Sequence, residues 1–285
     1  MKAAELTQRI EQFVRELAAQ TDAVRASAAF QHYVEAMSRF HQYSWSNQLL
    51  IMLQNPEARH VAGYHTWLKL HRHVRRGEKG IAILAPMLTR SEAEDEQTGR
   101  RPVHFRAVYV FDIGQTDGEP LPAQPDWKST ERRADLHAML IAFAGCEGIA
   151  VTTGALPAAA RGASLGGKIV LVAEAGTKTL IHELAHEFLH RSGGGATGLS
   201  RQEREIEAET TAYVVCRHFG LGESKSPNYL ALWGAAAPAI RGRLERIQKA
   251  AGRIIGAVEA RAAEHTIAAE PGGAPGPWFN DEEKG

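Results

Sequence analysis

The chain has 285 residues, 44% of them hydrophobic and 23% charged, which excludes a disordered polypeptide and leaves room for two domains with cores of their own. Thirty-three basic side chains balance 33 acidic ones, so overall charge names no partner, although the first 111 residues hold 15 Lys and Arg against 11 Asp and Glu. Cys146 and Cys216 make no disulfide framework, the opening stretch with Glu5, Glu11 and Glu16 is no signal peptide, and no apolar run nears the ~20 residues of a membrane span, so a reducing cytoplasm and no membrane partner are expected.

The first ~55 residues carry helical periodicity. Leu6, Ile10, Phe13, Val14 and Leu17 form one stripe, and Tyr33, Val34, Met37 and Phe40 a second. A third helix fits Trp45 to Leu53, stopped by Asn55-Pro56 because the residue before proline avoids the helical region. Tyr64 to Leu70 adds a turn or two. Val74 and Ile81 to Leu84 then read as two strands of a hairpin closed by Arg75-Arg76-Gly77-Glu78-Lys79-Gly80. The charged stretch from Ser91 to Arg101 suits a surface loop, and Val103 to Phe111 is rich in strand formers.

Gly114, Gly118, Pro120, Pro122 and Pro125 mark residues 113–128 as a linker. Beyond it the pattern predicts a helix from about Glu131 to Phe143, a strand at Lys168 to Val172 and a helix from Thr177 to Arg191. A glycine-rich loop (Gly193, Gly194, Gly195, Gly198) leads to Ser200 and Glu203, spaced as a capping box, and Gly220 suits the end of the helix they start. Ser226-Pro227 restarts a helix that Pro238 interrupts, and Ile240, Leu244, Ile247, Ala251, Ile254, Ile255 and Val258 line a last amphipathic one. The expected fold is α+β in two domains: residues 1–112, then a mainly helical unit over 129–262, with a disordered tail at 263–285.

His182 and His186 are four residues apart, so on a helix both imidazoles share one face, as two ligands of a tetrahedral zinc would. Glu183 stands where a carboxylate can take a proton from water activated by the metal. On the following helix Glu205 and Glu209 share a face. Glu205 is the candidate third ligand, and Glu209 a candidate acceptor for a ligand histidine's second nitrogen. Glu207 points elsewhere and reads as solvated. Tyr213, one turn beyond Glu209, suits either a hydrogen bond to a tetrahedral intermediate or a place in the core. His190 reads as a helix C-terminal residue. One Zn2+ per chain is expected.

Between Arg39 and Lys79 seven basic side chains face two acidic ones, with aromatic rings interleaved. Rings for base stacking and cations for phosphates are the means of single-strand binding. The candidates are Tyr43, Trp45, Tyr64 and Trp67 for stacking, and Arg72, Arg75, Arg76 and Lys79 for the backbone. Trp and Tyr at these spacings also suit a core, and a basic turn also suits plain solvation.

His182-Glu183-Leu184-Ala185-His186-Glu187-Phe188-Leu189-His190, with Glu205-Ile206-Glu207-Ala208-Glu209, resembles the zincin domain of ArdC-type antirestriction proteins and is similar to metallopeptidases of the ImmA/IrrE group. Upstream, Arg39 to Leu50, Ala62 to Trp67, Val74 to Gly80, Tyr109 to Asp112, Gln115-Thr116 and Gly118-Glu119-Pro120 resemble the ArdC N-terminal domain. The resemblance reaches about residue 262. It implies a zincin-like metallopeptidase domain, single-stranded DNA as partner, and carriage on conjugative plasmids and related mobile elements, where such proteins help incoming DNA escape restriction. Three functions follow as alternatives. The chain protects single-stranded DNA; or it is a DNA-regulated zinc metallopeptidase with a repressor or restriction-related protein as substrate; or it is a metal-stabilised binding protein without turnover.

Overall fold

The computed structural model describes residues 1–19, 23–87, 104–121, 130–157, 160–191, 198–221 and 237–269. The two apolar stripes near the N-terminus become α1 (Ala3–Ala19), which buries Leu6, Ile10, Val14 and Leu17, and α2 (Ala23–Arg39), which buries Phe30, Tyr33, Val34 and Met37. Ser44 caps α3 (Trp45–Gln54) by accepting the Asn47 N–H, and α3 stops at Asn55, before Pro56. Then come β1 (Val61–Gly63), α4 (Tyr64–Lys69), β2 (Arg72–Val74), β3 (Ile81–Met87), β4 (His104–Asp112), a 3-10 turn at Ile113–Gln115 and β5 (Thr116–Gly118).

These strands form two antiparallel sheets, one in the order β1-β4-β3 and the other a β2-β5 pair. The expected hairpin is therefore corrected. β2 and β3 are not partners, and residues 75–80 cross from one sheet to the other. The turn bonds to the segment after β4 instead: Arg75 N–H donates to the Gln115 carbonyl, and the Gln115 amide donates to Glu78 and to the Lys79 carbonyl. The linker moves for the same reason, since residues 113–118 belong to this sheet pair. Gly118 at φ +140° lies so close to His71 that a Cβ would come within 2.3 Å of its carbonyl oxygen, a fit open to glycine alone. The expected loop at 91–101 lies outside the described residues.

The second half holds α5 (Thr130–Cys146), β6 (Ala150–Thr153), β7 (Gly162–Ser164), β8 (Lys168–Leu171), α6 (Thr177–His190), α7 (Arg201–His218) and α8 (Ala237–Ala269). β8 pairs in parallel with β6 and antiparallel with β7, which lies at the edge. The Ser200–Glu203 capping box forms, and Gly220 takes the left-handed φ of +61° just past α7. Pro238 is the second described residue of α8, and the residues before 237, with the expected interruption there, lie outside the description. Ser226-Pro227 lies outside the described residues. α8 runs through Ala269, which moves the helix end past the expected start of the tail; residues 270–285 are outside the description. No helix among the described residues is long and apolar enough to cross a membrane.

The two expected units share packing. The larger apolar cluster runs from Leu6, Val34 and Leu50 to Leu184, Val214 and Ile254 without a break, as α2 packs on α7, and α1 and α3 on α8. Side-chain amides of α3 complete the N-terminal sheet. Asn47 exchanges two hydrogen bonds with the backbone of Leu84, and Gln54 two with that of Ala82, so the outer edge of β3 is satisfied by a helix.

Candidate metal centre and nucleic-acid interface

α6 buries Leu180, Ile181, Leu184 and Ala185, which turns the i, i+4 pair His182 and His186 toward a partly open face. Their Nε2 atoms are 3.1 Å apart. From α7, Glu205 brings Oε2 to 3.6 Å from His182 Nε2 and 3.4 Å from His186 Nε2. Four-coordinate zinc with bonds of about 2.0–2.1 Å spaces its ligand atoms about 3.3–3.4 Å apart, so the three donors stand where such an ion needs them and leave its fourth side open. Burial, followed by the charge of His182, holds His186 well below the usual imidazole range. It is thus neutral near pH 7, with a lone pair to give.

Glu183 lies between α6 and the edge strand β7. A Cβ on Gly162 would come within 2.7 Å of its Oε1 and 2.8 Å of its Cγ, so only glycine lets the carboxylate sit there. Burial, then the charge of Glu205, pushes Glu183 up to about 7, while the Ser164 backbone N–H opposes the shift. Glu187, one turn on, is buried and accepts from Ser164 Oγ and the backbone N–H groups of Gly166 and Gly167. It ties the β7–β8 turn to α6, a structural role the motif gave no hint of.

Helix α7 divides its glutamates. Glu205 joins the histidines. Glu209 is exposed and, among the described residues, makes no hydrogen bond to either histidine, which corrects its expected role. Tyr213 is buried in the core, and the charges its hydroxyl feels are those of Arg217 and of Glu35 on α2, so of its two readings the core one holds. Glu207 is not on a solvated face. Its side chain is fully buried against Arg246 and Arg243. His190 bonds the Arg204 carbonyl across the α6–α7 junction.

The N-terminal candidates separate as sharply. Trp67 is 1% exposed and donates Nε1–H to the Phe111 carbonyl, and Trp45 is buried beside α8 with Arg241 over its ring. Neither leaves a face open to a base, and both are core residues. Tyr43 packs on the core and donates its hydroxyl to the Val61 carbonyl. Arg72 is spent on Thr116, Gly118 and Glu119, and Arg75 on Glu78, Asp117 and Gly114. Arg76, Lys79 and Tyr64 stay exposed. Sequence reading missed Phe105 and Tyr109, each with about half its surface open on one side of β4. Tyr109 pairs with Ala82 and its Cβ borders Gly80, so this ring stands beside the basic turn. The signal was present as aromatic residues at i and i+4 on a strand.

Residues 3–111 match the family model for the N-terminal domain of anti-restriction factor ArdC. An uncharacterized protein of Bacillus anthracis, pXO2-81, is 31% identical over a 245-residue alignment that takes in 69% of this chain and 41% of that protein. The chain thus spans less than half the length of that relative. The crystal structure of metal-free antirestriction ArdC from plasmid R388 has a TM-score of 0.50 at 20% identity, covering 87% of this chain and 98% of that one, and so shares the fold. The Mn(II)-bound form of the R388 protein gives a TM-score of 0.43 at 20% identity, over 79% and 97% of the two chains. Residues 3–111 are thus an N-terminal domain of the ArdC type, and the chain shares the fold of the R388 protein across most of its length.

Proposed function

We propose that the chain is an antirestriction-type protein of mobile genetic elements, which binds single-stranded DNA through its N-terminal half and carries a zinc centre of the metallopeptidase type. The carrying observation is the triangle of His182 Nε2, His186 Nε2 and Glu205 Oε2, with sides of 3.1, 3.4 and 3.6 Å. Two imidazoles, one carboxylate and an open fourth side form the ligand set of catalytic zinc. The ion, when bound, supplies Lewis-acid polarisation of a carbonyl and activation of water. His182, His186 and Glu205 hold it. Glu183, adjacent to His182 and close enough to Glu205 to feel its charge, is the group that accepts and hands on the proton. Its packing against Gly162 limits the positions its carboxylate can take. Hydrolysis of a peptide library by the zinc-loaded chain should stop on chelation and return with zinc, while DNA binding persists. Cleavage that survives chelation, or none from the loaded protein, would defeat the peptidase half of the reading.

For DNA, Tyr64, Phe105 and Tyr109 offer ring faces, and Arg76 and Lys79 offer cations free of intramolecular ion pairs among the described residues. Replacing Arg76 and Lys79 together by alanine should lower the slope of log affinity against log salt by about 1.4 on a single strand, roughly 0.7 per lost phosphate contact. Titrations at several salt concentrations measure it. An unchanged slope in a folded variant would remove the basic turn from the interface.

DNA-regulated proteolysis is the second reading, and the packing of α7 favours it. That helix carries Glu205 and also packs on α2, so a change at the N-terminal half has a direct route to a metal ligand. A cleavage rate that shifts when single-stranded DNA is added separates this reading from simple protection.

A further inference from the structure

Three side chains from three separate elements converge under the turn between α2 and α3. His41 follows α2, His218 ends α7 and Glu259 lies on α8. The Glu259 carboxylate reaches both rings, with Oε2 at 3.1 Å from His41 Nε2 and Oε1 at 2.9 Å from His218 Nε2. The rings meet edge to face, 4.8 Å between centroids, and all three side chains are largely buried. α8 is drawn onto the turn by Gln248, whose amide donates to the carbonyls of His41 and Tyr43. At Gly252 a Cβ would come within 3.0 Å of the His41 carbonyl oxygen.

The hydrogen bonds decide where a ring proton sits. His218 Nδ1 is 2.8 Å from the Ser38 backbone carbonyl, which can only accept, so Nδ1 carries the proton. A neutral His218 then turns its Nε2 lone pair toward the Glu259 carboxylate, acceptor against acceptor. Such a pair needs a cation, either a further proton on the ring or a metal ion. A backbone carbonyl holding Nδ1–H is the usual support of a metal-ligating histidine. The spacings of 2.9 and 3.1 Å lie close to the ligand spacing of about 3.3 Å around four-coordinate zinc. Two imidazoles and one carboxylate select a zinc-class ion over magnesium or calcium, which take oxygen ligands. The Gln42 side-chain amide stands 3.5 Å from His41 Nε2, and since its oxygen and nitrogen exchange places by a flip, it can supply a fourth donor.

We propose that His41, His218 and Glu259, closed by the Gln42 amide oxygen, form a second divalent-metal site of zinc class. It is structural, and it fastens the α2–α3 turn of the N-terminal half to α7 and α8. It shares no residue with the His182 triad, and its two histidines and Glu259 are together more enclosed than the three side chains of that open centre, as the ligands of structural zinc sites are.

The test is elemental analysis of the full chain after zinc loading and exchange into metal-free buffer. Wild type should hold two equivalents, His186→Ala one, and the double variant His186→Ala/Glu259→Gln none. The ion left in His186→Ala should raise its melting temperature, and a chelator should cancel the rise. Wild type with one equivalent and His186→Ala with none would overturn the proposal and leave a cluster held by protons. Should the double variant fail to fold, Co2+ titration of His186→Ala decides alone: one tightly held ion with tetrahedral absorption supports the site, and no bound ion removes it.

Discussion

Replacing His186 by alanine will strip one divalent ion from the chain, whereas Glu183→Gln will leave the metal content unchanged and cut hydrolysis by at least about a hundredfold, the lower bound for losing a positioned general base. The two changes lie three residues apart on one helix, yet they act on different links. His186→Ala leaves His182 and Glu205, two donors where three had stood 3.1 to 3.6 Å apart. The loss should exceed the 10–100-fold in affinity that follows from removing a mere supporting group. The helix itself should hold, because alanine is the better helix former and the ring is not a core residue. Glu183→Gln keeps the shape wedged against Gly162 and removes only the capacity to take a proton. Elemental analysis against wild type and cleavage assays on the loaded proteins measure both. Full metal retention by His186→Ala would refute the ligand set, and undiminished cleavage by Glu183→Gln would move the base elsewhere.

The three glutamates at alternate positions of α7 should give three unlike results. Glu207→Ala should cost about 3–5 kcal/mol, since removing one partner of a buried ion pair strands the other. Here the stranded partners are Arg243 and Arg246, the first also buried and also bonded to Glu203. Glu209→Ala, at an exposed position, should change stability by no more than ~0.5 kcal/mol. Glu205→Ala should leave the metal-free protein nearly as stable as before and lose the ion. Urea unfolding of the metal-free proteins ranks the first two, and metal content identifies the third. A Glu207 variant as stable as the Glu209 variant would mean that the arginines find water, and the buried pair would then contribute little.

Local signals carried much of this architecture. The stripes of α1 and α2, the stop at Asn55-Pro56, the helix over the histidines and the Ser200–Glu203 cap all depend on neighbours a few residues away, and the structure has each of them. What escaped depends on distant partners. Residues 72–84 look like a hairpin until β4 and β5 take up their strands. β6 and β7 are too short and too rich in Thr, Gly and Ser to show alternation. The burial of Glu207 follows from α8, which supplies Arg243 and Arg246 across nearly forty residues of chain. The N-terminal motif was legible as a motif but not as architecture. Trp45 and Trp67 look like a binding surface in one dimension, and in three they are bricks of the core, beside the equally buried Gln48. The exposed rings Phe105 and Tyr109 were the harder to single out, because exposure leaves no periodic trace.

The amides of Asn47 and Gln54 do for β3 what another strand would otherwise do. A bare sheet edge is a template on which further chains can grow, and proteins blunt such edges by covering them. Here the cover is a helix with two correctly spaced carboxamides, so the guard against self-association is part of the fold itself. Exchanging either amide for an aliphatic side chain of similar size would leave the helix in place but strand an N–H and a C=O of β3 beneath it, at a cost of roughly 1–3 kcal/mol for each unpaired group, so the edge would open to a second chain only where the helix gives way.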